Sequence, residues 1–385
     1  MFLIEDQLQQ PKFTMYGLYI HIPFCIKKCN YCDFCSFPVN MNTQGELISK
    51  YINSLLIEMS FYKGYKISTI YVGGGTPSIL PPELIEKVFS GIRDTFDTTE
   101  ITEVSIEVNP GTVNESKIKT YKNLNITRIS VGAQSFSQKI LSLLGRIHTT
   151  KDIYYTVNLL HKYGIYNFNI DIISSIPGET MDIFTNDIKK ATELSPTHLS
   201  IYSLEIEPDT EIFDKIKSKK LKLIDEDLDL KMYLFSIEYL TKKGYRHYEI
   251  SNFAIPGFEC KHNLNYWQDG EYIGIGLSAT SYVNGTRYRN TSNINEYFHK
   301  LEVEHEPPIT EKEKLTGRKK LAEKLFLGLR MRSGIHLTEE IYKEFANEIK
   351  ELLHENLINI DEQKNTIYLT QKGLALANFV FLKFL

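Results

Sequence analysis

Four of the chain's five cysteines fall within the eleven residues from Cys25 to Cys35, in the stretch HIPFCIKKCNYCDFCS (residues 21–36). Thiols gathered this closely serve one of three chemistries: disulfides, a structural zinc ion or an iron–sulfur cluster. The opening MFLIEDQLQQPKFTM lacks the charged start and long apolar core of a signal peptide. No stretch approaches the roughly 20 apolar residues that span a bilayer. A cytoplasmic location is the expectation, and thiols there stay reduced, which sets disulfides aside. Cys25, Cys29 and Cys32 are spaced C-x3-C-x2-C. A structural zinc site usually takes four ligands, commonly as two separated C-x2-C pairs, and the only distant cysteine is Cys260. Three thiolates on one tight loop suit a 4Fe-4S cluster with one iron left open to a small molecule. A fourth ligand at Cys35 would close that site, so Cys35 is read as a bystander thiol.

Such a loop needs a rigid frame. Apolar, β-branched runs recur in the first 205 residues, each followed by a helical pattern: GLYIHI (17–22), STIYVGG (68–74), EVSIEVN (103–109), TRISVGA (127–133), NFNIDII (167–173) and THLSIYSLEI (197–206). Read as apolar on both faces and bounded by turns, they predict buried parallel strands. Leu47, Ile48, Tyr51, Ile52, Leu55, Leu56 and Met59 keep the spacing of an amphipathic helix. Further helices are predicted near 82–95, 114–124, 151–164 and 181–193, with Asn114 and Thr180 capping two of them. Six β-α units predict an α/β fold with a parallel sheet, either an open partial barrel or a doubly wound sheet. In both forms ligands bind at the carboxyl ends of the strands. Every unusual loop falls there. The cysteine loop follows the first strand, GGGTPS (73–78) the second, NPG (109–111) the third, GAQSF (132–136) the fourth and IPGET (176–180) the fifth.

Beyond residue 245 the character changes. YEISNFAIPGFECKHNLNYWQDGEYIGIG (248–276) is loop-rich and aromatic. From 309 the pattern is helix, helix, two short strands around a polar turn, and a last helix, an order like that of a winged helix. The sequence thus divides into an N-terminal segment (1–16), a six-unit α/β domain (17–245), a connecting region (246–308) and a winged-helix-like subdomain (309–385). That subdomain lacks a basic recognition face, and the net charge of −4 favours neither nucleic acid nor an anionic membrane. The expectation is a structural or protein-contact role with no nucleic-acid partner. The terminal FVFLKFL (379–385) is apolar enough to touch a membrane surface and is read as a packed helix end.

With a C-x3-C-x2-C loop after a first strand and Tyr31 just before the third cysteine, the chain resembles the radical S-adenosylmethionine (SAM) enzymes. That resemblance implies SAM chelated to the open iron, and one-electron cleavage of its C–S bond to a 5′-deoxyadenosyl radical. It implies SAM contacts at Tyr19, Tyr31, Gly74, Gly75, Thr76, Glu107, Gln134, Arg146 and Asp171. The plainer alternatives are an ordinary glycine turn, a core tyrosine and hydrogen-bonded polar residues. YIHIPFC (19–25), CDF (32–34), LLGRIH (143–148), SIPGET (175–180), YEISNFA (248–254), HNLNYW (262–267) and LGLR (327–330) narrow the likeness. Together they resemble the oxygen-independent coproporphyrinogen III oxidase superfamily.

Within it, three features resemble the heme-chaperone (HemW) branch. About sixteen residues precede the first strand, where the oxidases carry a longer extension. Cys35 falls one place late for the oxidases' C-x3-C-x2-C-x-C. HNLNYW fits H-N-x-x-Y-W, a motif associated with heme binding in that branch. The resemblance implies heme contact by His262, Tyr266 and Trp267, with Cys260 as an accessory ligand or a plain buried thiol. It further implies an electron donor and heme delivery to apoproteins such as respiratory cytochromes. Two rivals are retained: a coproporphyrinogen III oxidase, converting propionates to vinyls with loss of CO2, and a cluster that only senses oxygen or iron. Homodimer formation and peripheral membrane contact stay open. Ser175 stands where relatives usually carry glycine, which puts SAM affinity in question.

Overall fold

The computed structural model describes residues 15–41 and 43–385. The N-terminal segment assigned to 1–16 therefore lies outside the described residues, apart from its last two. Six strands lie side by side in chain order and run parallel: β1 (Tyr16–Ile22), β2 (Ile67–Gly74), β3 (Glu103–Val108), β4 (Arg128–Gln134), β5 (Phe168–Ser174) and β6 (His198–Ser203). Helices Gly45–Ser60, Pro82–Thr95, Glu115–Asn123, Thr150–Lys162 and Met181–Glu193 make the crossovers. Both expected caps are present: the side chain of Asn114 accepts from Lys117 N and that of Thr180 from Ile183 N, each satisfying an otherwise orphaned helical donor. Of the two forms the sequence left open, the strands follow chain order without the reversal of a doubly wound sheet, as in a six-unit partial barrel.

One expectation needs correction. The strands are not apolar on both faces. Ile70, Val72, Val104, Ile106, Ile129, Val131, Phe168, Ile170 and Leu199 are buried in the main core. Their alternates are Thr69, Tyr71, Glu103, Ser105, Glu107, Arg128, Ser130, Asn169, Asp171, His198 and Ser200. Side chains alternate across a strand with period 2, so one face meets the helices and the other is a polar surface. Polar groups buried there need partners, and most find them, with Arg128 Nε an exception. Asn169 Nδ2 donates to Ser130 Oγ (2.7 Å) and Asp171 Oδ1 (2.6 Å), and His198 lies between Asn169 Oδ1 (2.7 Å) and the Tyr248 hydroxyl (2.8 Å).

Residues 246–308, expected as a loop-rich connector, and the first six residues of the segment assigned to 309–385 carry strands that extend both edges of the same sheet. β7 (Arg246–Glu249) and β8 (Asn252–Ala254) are added antiparallel beyond β6. β9 (Tyr272–Ile275) pairs parallel with β1, and β10 (Thr280–Val283), β11 (Thr286–Asn290) and β12 (Ile309–Lys314) continue antiparallel. The order is β12-β11-β10-β9-β1-β2-β3-β4-β5-β6-β8-β7. Most of these strands are only three to five residues long, too short for a readable alternation. HNLNYW lies in helix Lys261–Trp267, between the two sets.

The last segment packs around its own core of Leu325, Leu329, Ile341, Phe345, Ile349, Leu352 and Phe384. Its order is helix Gly317–Leu329, strand Ile335–His336, helices Glu339–Glu344 and Ala346–His354, then strands Ile358–Asp361 and Thr366–Leu369 in one small antiparallel sheet. Main-chain bonds Ile250 N to Arg330 O (3.1 Å) and Arg332 N to Tyr248 O (3.0 Å) tie it to the large sheet. Of the terminal FVFLKFL, Val380, Phe381 and Phe384 are buried whereas Phe379, Leu382 and Leu385 are exposed. Among the described residues no helix is long and apolar enough to cross a membrane.

Candidate functional site

The cysteine loop is closed at its base by a short parallel pairing of Phe24–Cys25 with Phe37–Pro38. Phe37 N donates to Pro23 O and Val39 N to Cys25 O, both at 2.7 Å. Its tip is tied elsewhere: Asn30 donates from its backbone N to Leu144 O (2.9 Å) and from Nδ2 to Leu143 O (2.9 Å). Gly145 follows at φ +73°, and a Cβ there would stand 2.4 Å from Asn30 Oδ1. Only glycine meets both conditions. This contact delivers Arg146 to the thiols, with Nη1 3.5 Å from Cys29 Sγ while Nη2 donates to Asn109 Oδ1 (2.5 Å) and Gly132 O (2.9 Å). From the second loop, Thr76 Oγ1 donates to Cys25 Sγ (3.4 Å). A Cβ on Gly75 would lie 3.0 Å from that sulfur and 2.8 Å from Phe24 O, so GGGTPS approaches the cysteine loop as bare backbone.

Burial pushes the Cys25 thiol up, and pushes Cys32 up to about 11. Among the described residues no group of three or more His, Cys, Asp or Glu is arranged to hold a metal ion. The donor set does fit a 4Fe-4S cluster, which three thiolates of one loop can hold. Of the loop's four thiols, Cys25, Cys29 and Cys32 keep the C-x3-C-x2-C spacing, and Thr76 and Arg146 are placed to stabilise the thiolate form of two of them. Cys35 is turned differently, its Sγ 4.0 Å from Ser292 O and its carbonyl accepting from His21 Nε2 (2.8 Å).

Beside the loop lies a cavity of about 650 Å³ whose walls include Tyr19, His21, Cys35, Gly74 and Glu107. Glu107 accepts from the Tyr71 hydroxyl (2.9 Å) and from Gly74 N (3.2 Å). Burial, reinforced by the charge of Asp171, raises its carboxyl to about 7. Gly74 sits at φ +110°, where a Cβ would lie 2.6 Å from the His21 ring. Asp171 accepts from Ser130 Oγ (3.1 Å) as well as from Asn169, and burial raises it too. Thr76 and Arg146 line a second, smaller cavity with Cys29, Asn109 and His148. Gln134 adopts φ +67° at the end of β4, and Tyr31 packs with Ile140, Leu144 and Ile176 beside Arg146. Gln134, Asp171 and Tyr31 line neither cavity. Ser175 also holds a left-handed conformation (φ +63°), the geometry that favours glycine, and its hydroxyl donates to Asp229.

The HNLNYW motif behaves unlike a free ligand set. His262 is 1% exposed, and its Nδ1 and Nε2 are both engaged, by Thr69 Oγ1 (2.8 Å) and the Tyr266 hydroxyl (2.8 Å). Its ring stacks on Tyr71 with centroids 5.3 Å apart, and burial lowers its pKa to about 3. Heme contact by the His262 imidazole would have to exchange one of these two hydrogen bonds, since both ring nitrogens have partners within the chain. Cys260 is fully buried with Sγ 3.5 Å from Glu103 Oε1, the plain buried thiol of the two readings. Tyr266 and Trp267 do line the large cavity, and the Arg330 guanidinium lies 4.3 Å from the Trp267 ring centre.

Several lining residues escape a motif reading: His21, Tyr272, Tyr282, Arg287, Arg289 and Phe326. His21 had a legible signal, since alternation from Tyr19 places both on one face of β1. Its Nδ1 lies 3.0 Å from the Tyr19 hydroxyl. Asn109, within NPG, bonds both Thr76 Oγ1 (2.8 Å) and Arg146. The others come from short edge strands and from helix Gly317–Leu329, far away in sequence.

Comparison with known proteins places this geometry. Residues 19–191 match the model of the radical SAM superfamily. The chain is 38% identical over 386 residues to the heme chaperone HemW of Lactococcus lactis subsp. lactis (strain IL1403), covering 98% of each chain. It is 32% identical to the heme chaperone HemW of Bacillus subtilis (strain 168), covering 96% of this chain and 99% of that one. In structure it is similar to coproporphyrinogen III oxidase (HemN) from Escherichia coli, a radical SAM enzyme, with TM-score 0.83 and 23% identity over 96% of this chain and 90% of that one.

Proposed function

The chain belongs to the HemW family within the radical SAM superfamily, and from that premise we propose that it binds heme and hands it to heme-accepting apoproteins. The observation that carries this reading is the end-to-end relationship to curated heme chaperones. The cavity adds physical support. It sets Tyr266 and Trp267 in one volume with Tyr19, Gly74 and Glu107, and aromatic walls suit a flat macrocycle.

In this reading Cys25, Cys29 and Cys32 hold a 4Fe-4S cluster, which when bound supplies one electron to SAM. The chain's own residues hold the surroundings. Thr76 and Arg146 bond two of the thiols, and Glu107, fixed by Tyr71 and Gly74, presents a carboxyl to the cavity. His262 acts as a positioning residue, holding the Tyr266 hydroxyl from within the core. The likeness to coproporphyrinogen III oxidase shows the fold, and fold alone does not assign chemistry.

The test uses cluster-reconstituted protein under anaerobic conditions. Heme titration should give a saturable Soret band, and mixing with an apocytochrome should move heme to the acceptor. With SAM, reductant and coproporphyrinogen III, no protoporphyrinogen should accumulate. Repeated turnover to protoporphyrinogen, or failure to bind heme, would overturn the assignment.

A further inference from the structure

Strand β11 carries Arg287 and Arg289, two residues apart and hence on one face of the strand. Both line the large cavity. Cross-strand register sets Arg287 opposite Tyr282, whose ring lines the same cavity beside Tyr272, centroids 6.3 Å apart. Cationic groups thus stand next to an aromatic wall.

Their present partners are carboxylates and two hydroxyls. Arg287 bonds Glu323 and the Tyr272 hydroxyl, with Glu313 at 3.8 Å. Arg289 meets Glu311 at 3.5 Å and Ser278 Oγ at 3.4 Å. The Arg287–Glu323 pair is largely enclosed, Glu323 being 9% exposed at the side chain. The Arg289–Glu311 pair is open, at 50% and 67%. An exposed pair of that kind contributes little, so an incoming carboxylate can replace Glu311 and leave no charge buried. The other acidic groups on the walls are Asp33, Glu107 and Asp269, the last held by Lys320.

We propose that Arg289, with Arg287 beside it, anchors the carboxylate side chains of a porphyrin seated against the aromatic wall. Guanidinium groups pair with carboxylates through parallel hydrogen bonds, and the ligand class this geometry selects is a planar aromatic carrying acid groups along one edge. The inference rests on the heme reading above and adds to it the part of the ligand that is recognised.

The experiment titrates the full-length protein with hemin and with hemin dimethyl ester, whose propionates are uncharged. Wild type should bind the ester about tenfold more weakly, the scale of one charge-assisted hydrogen bond. Arg289→Gln, at an exposed position, should weaken hemin to near the ester level while leaving ester affinity and far-UV circular dichroism unchanged. Arg287→Gln/Arg289→Gln should erase any remaining preference. Wild type that binds both probes equally, or variants that keep the preference, would overturn the carboxylate assignment alone. Wild type that binds neither probe would instead remove the heme reading beneath it.

Discussion

Two regions of this molecule carry residues of ligand type at suggestive spacing, and the fold treats them in opposite ways. In the loop after β1, Cys25 and Cys29 meet a hydroxyl and a guanidinium, groups that assist a thiolate without occupying it. In helix Lys261–Trp267, His262 has both ring nitrogens bonded within the core. The lesson is that ligand type and spacing nominate a site, whereas uncommitted lone pairs make one. A histidine whose two ring nitrogens are bonded inside the protein must give up a partner before it can bind a ligand.

The largest effect that could break this comparison concerns the thiols. Cys25→Ser, Cys29→Ser or Cys32→Ser should abolish the iron and sulfide content and the visible absorption of reconstituted protein. Cys35→Ser and Cys260→Ser should retain both. Loss of the cluster in Cys35→Ser would show that the loop is closed by four ligands.

On the other side, His262→Ala should cost about 2–4 kcal/mol in urea unfolding, from a cavity plus two hydroxyls left without their partner. The Soret maximum of bound heme should stay where wild type has it. A shifted maximum at unchanged stability would restore the imidazole as an iron ligand.

The pH dependence sharpens the same point. With a folded pKa of about 3 against about 6.5 when unfolded, His262 binds fewer protons folded than unfolded between those values. Its contribution to stability is present above pH 6.5 and declines as pH falls toward 3, by up to about 1.4 kcal/mol per pH unit. His262→Gln should lack this component when unfolding free energies at pH 5 and 7 are compared with wild type.

The smallest effect lies in the loop after β5. Ser175→Gly should relieve the left-handed strain but lose the bond to Asp229, for a net change under about 1 kcal/mol. Ser175→Ala keeps the strain and loses the bond, so it should be the less stable of the two. Thermal unfolding of the pair would read the difference.

Much of the frame was legible because it is local. Asn114 and Thr180 announce their helices, and six apolar runs with crossover helices announce a parallel sheet. The polar face was legible in principle: Glu103, Ser105 and Glu107 alternate with Val104, Ile106 and Val108, a period-2 signal masked by the overall apolar weight of each run. The edge strands were not legible, since β8 spans only Asn252–Ala254 and takes its pairing from β6, some fifty residues earlier in the chain.

The sequence by itself determined the thiol spacing of the cysteine loop, the order of the β-α units and the end of the sheet at which the unusual loops gather, because each follows from residue type, spacing and chain direction. Tertiary structure alone decided which candidates stay available. It brought Arg146 to Cys29 through the fit of Gly145 against Asn30, enclosed His262 between Thr69 and Tyr266, and set Arg287 and Arg289 on a cavity shared with Glu107. Each outcome depends on a partner tens to hundreds of residues away, and no local pattern encodes whether a buried polar atom finds its hydrogen bond inside the protein or leaves it for a ligand.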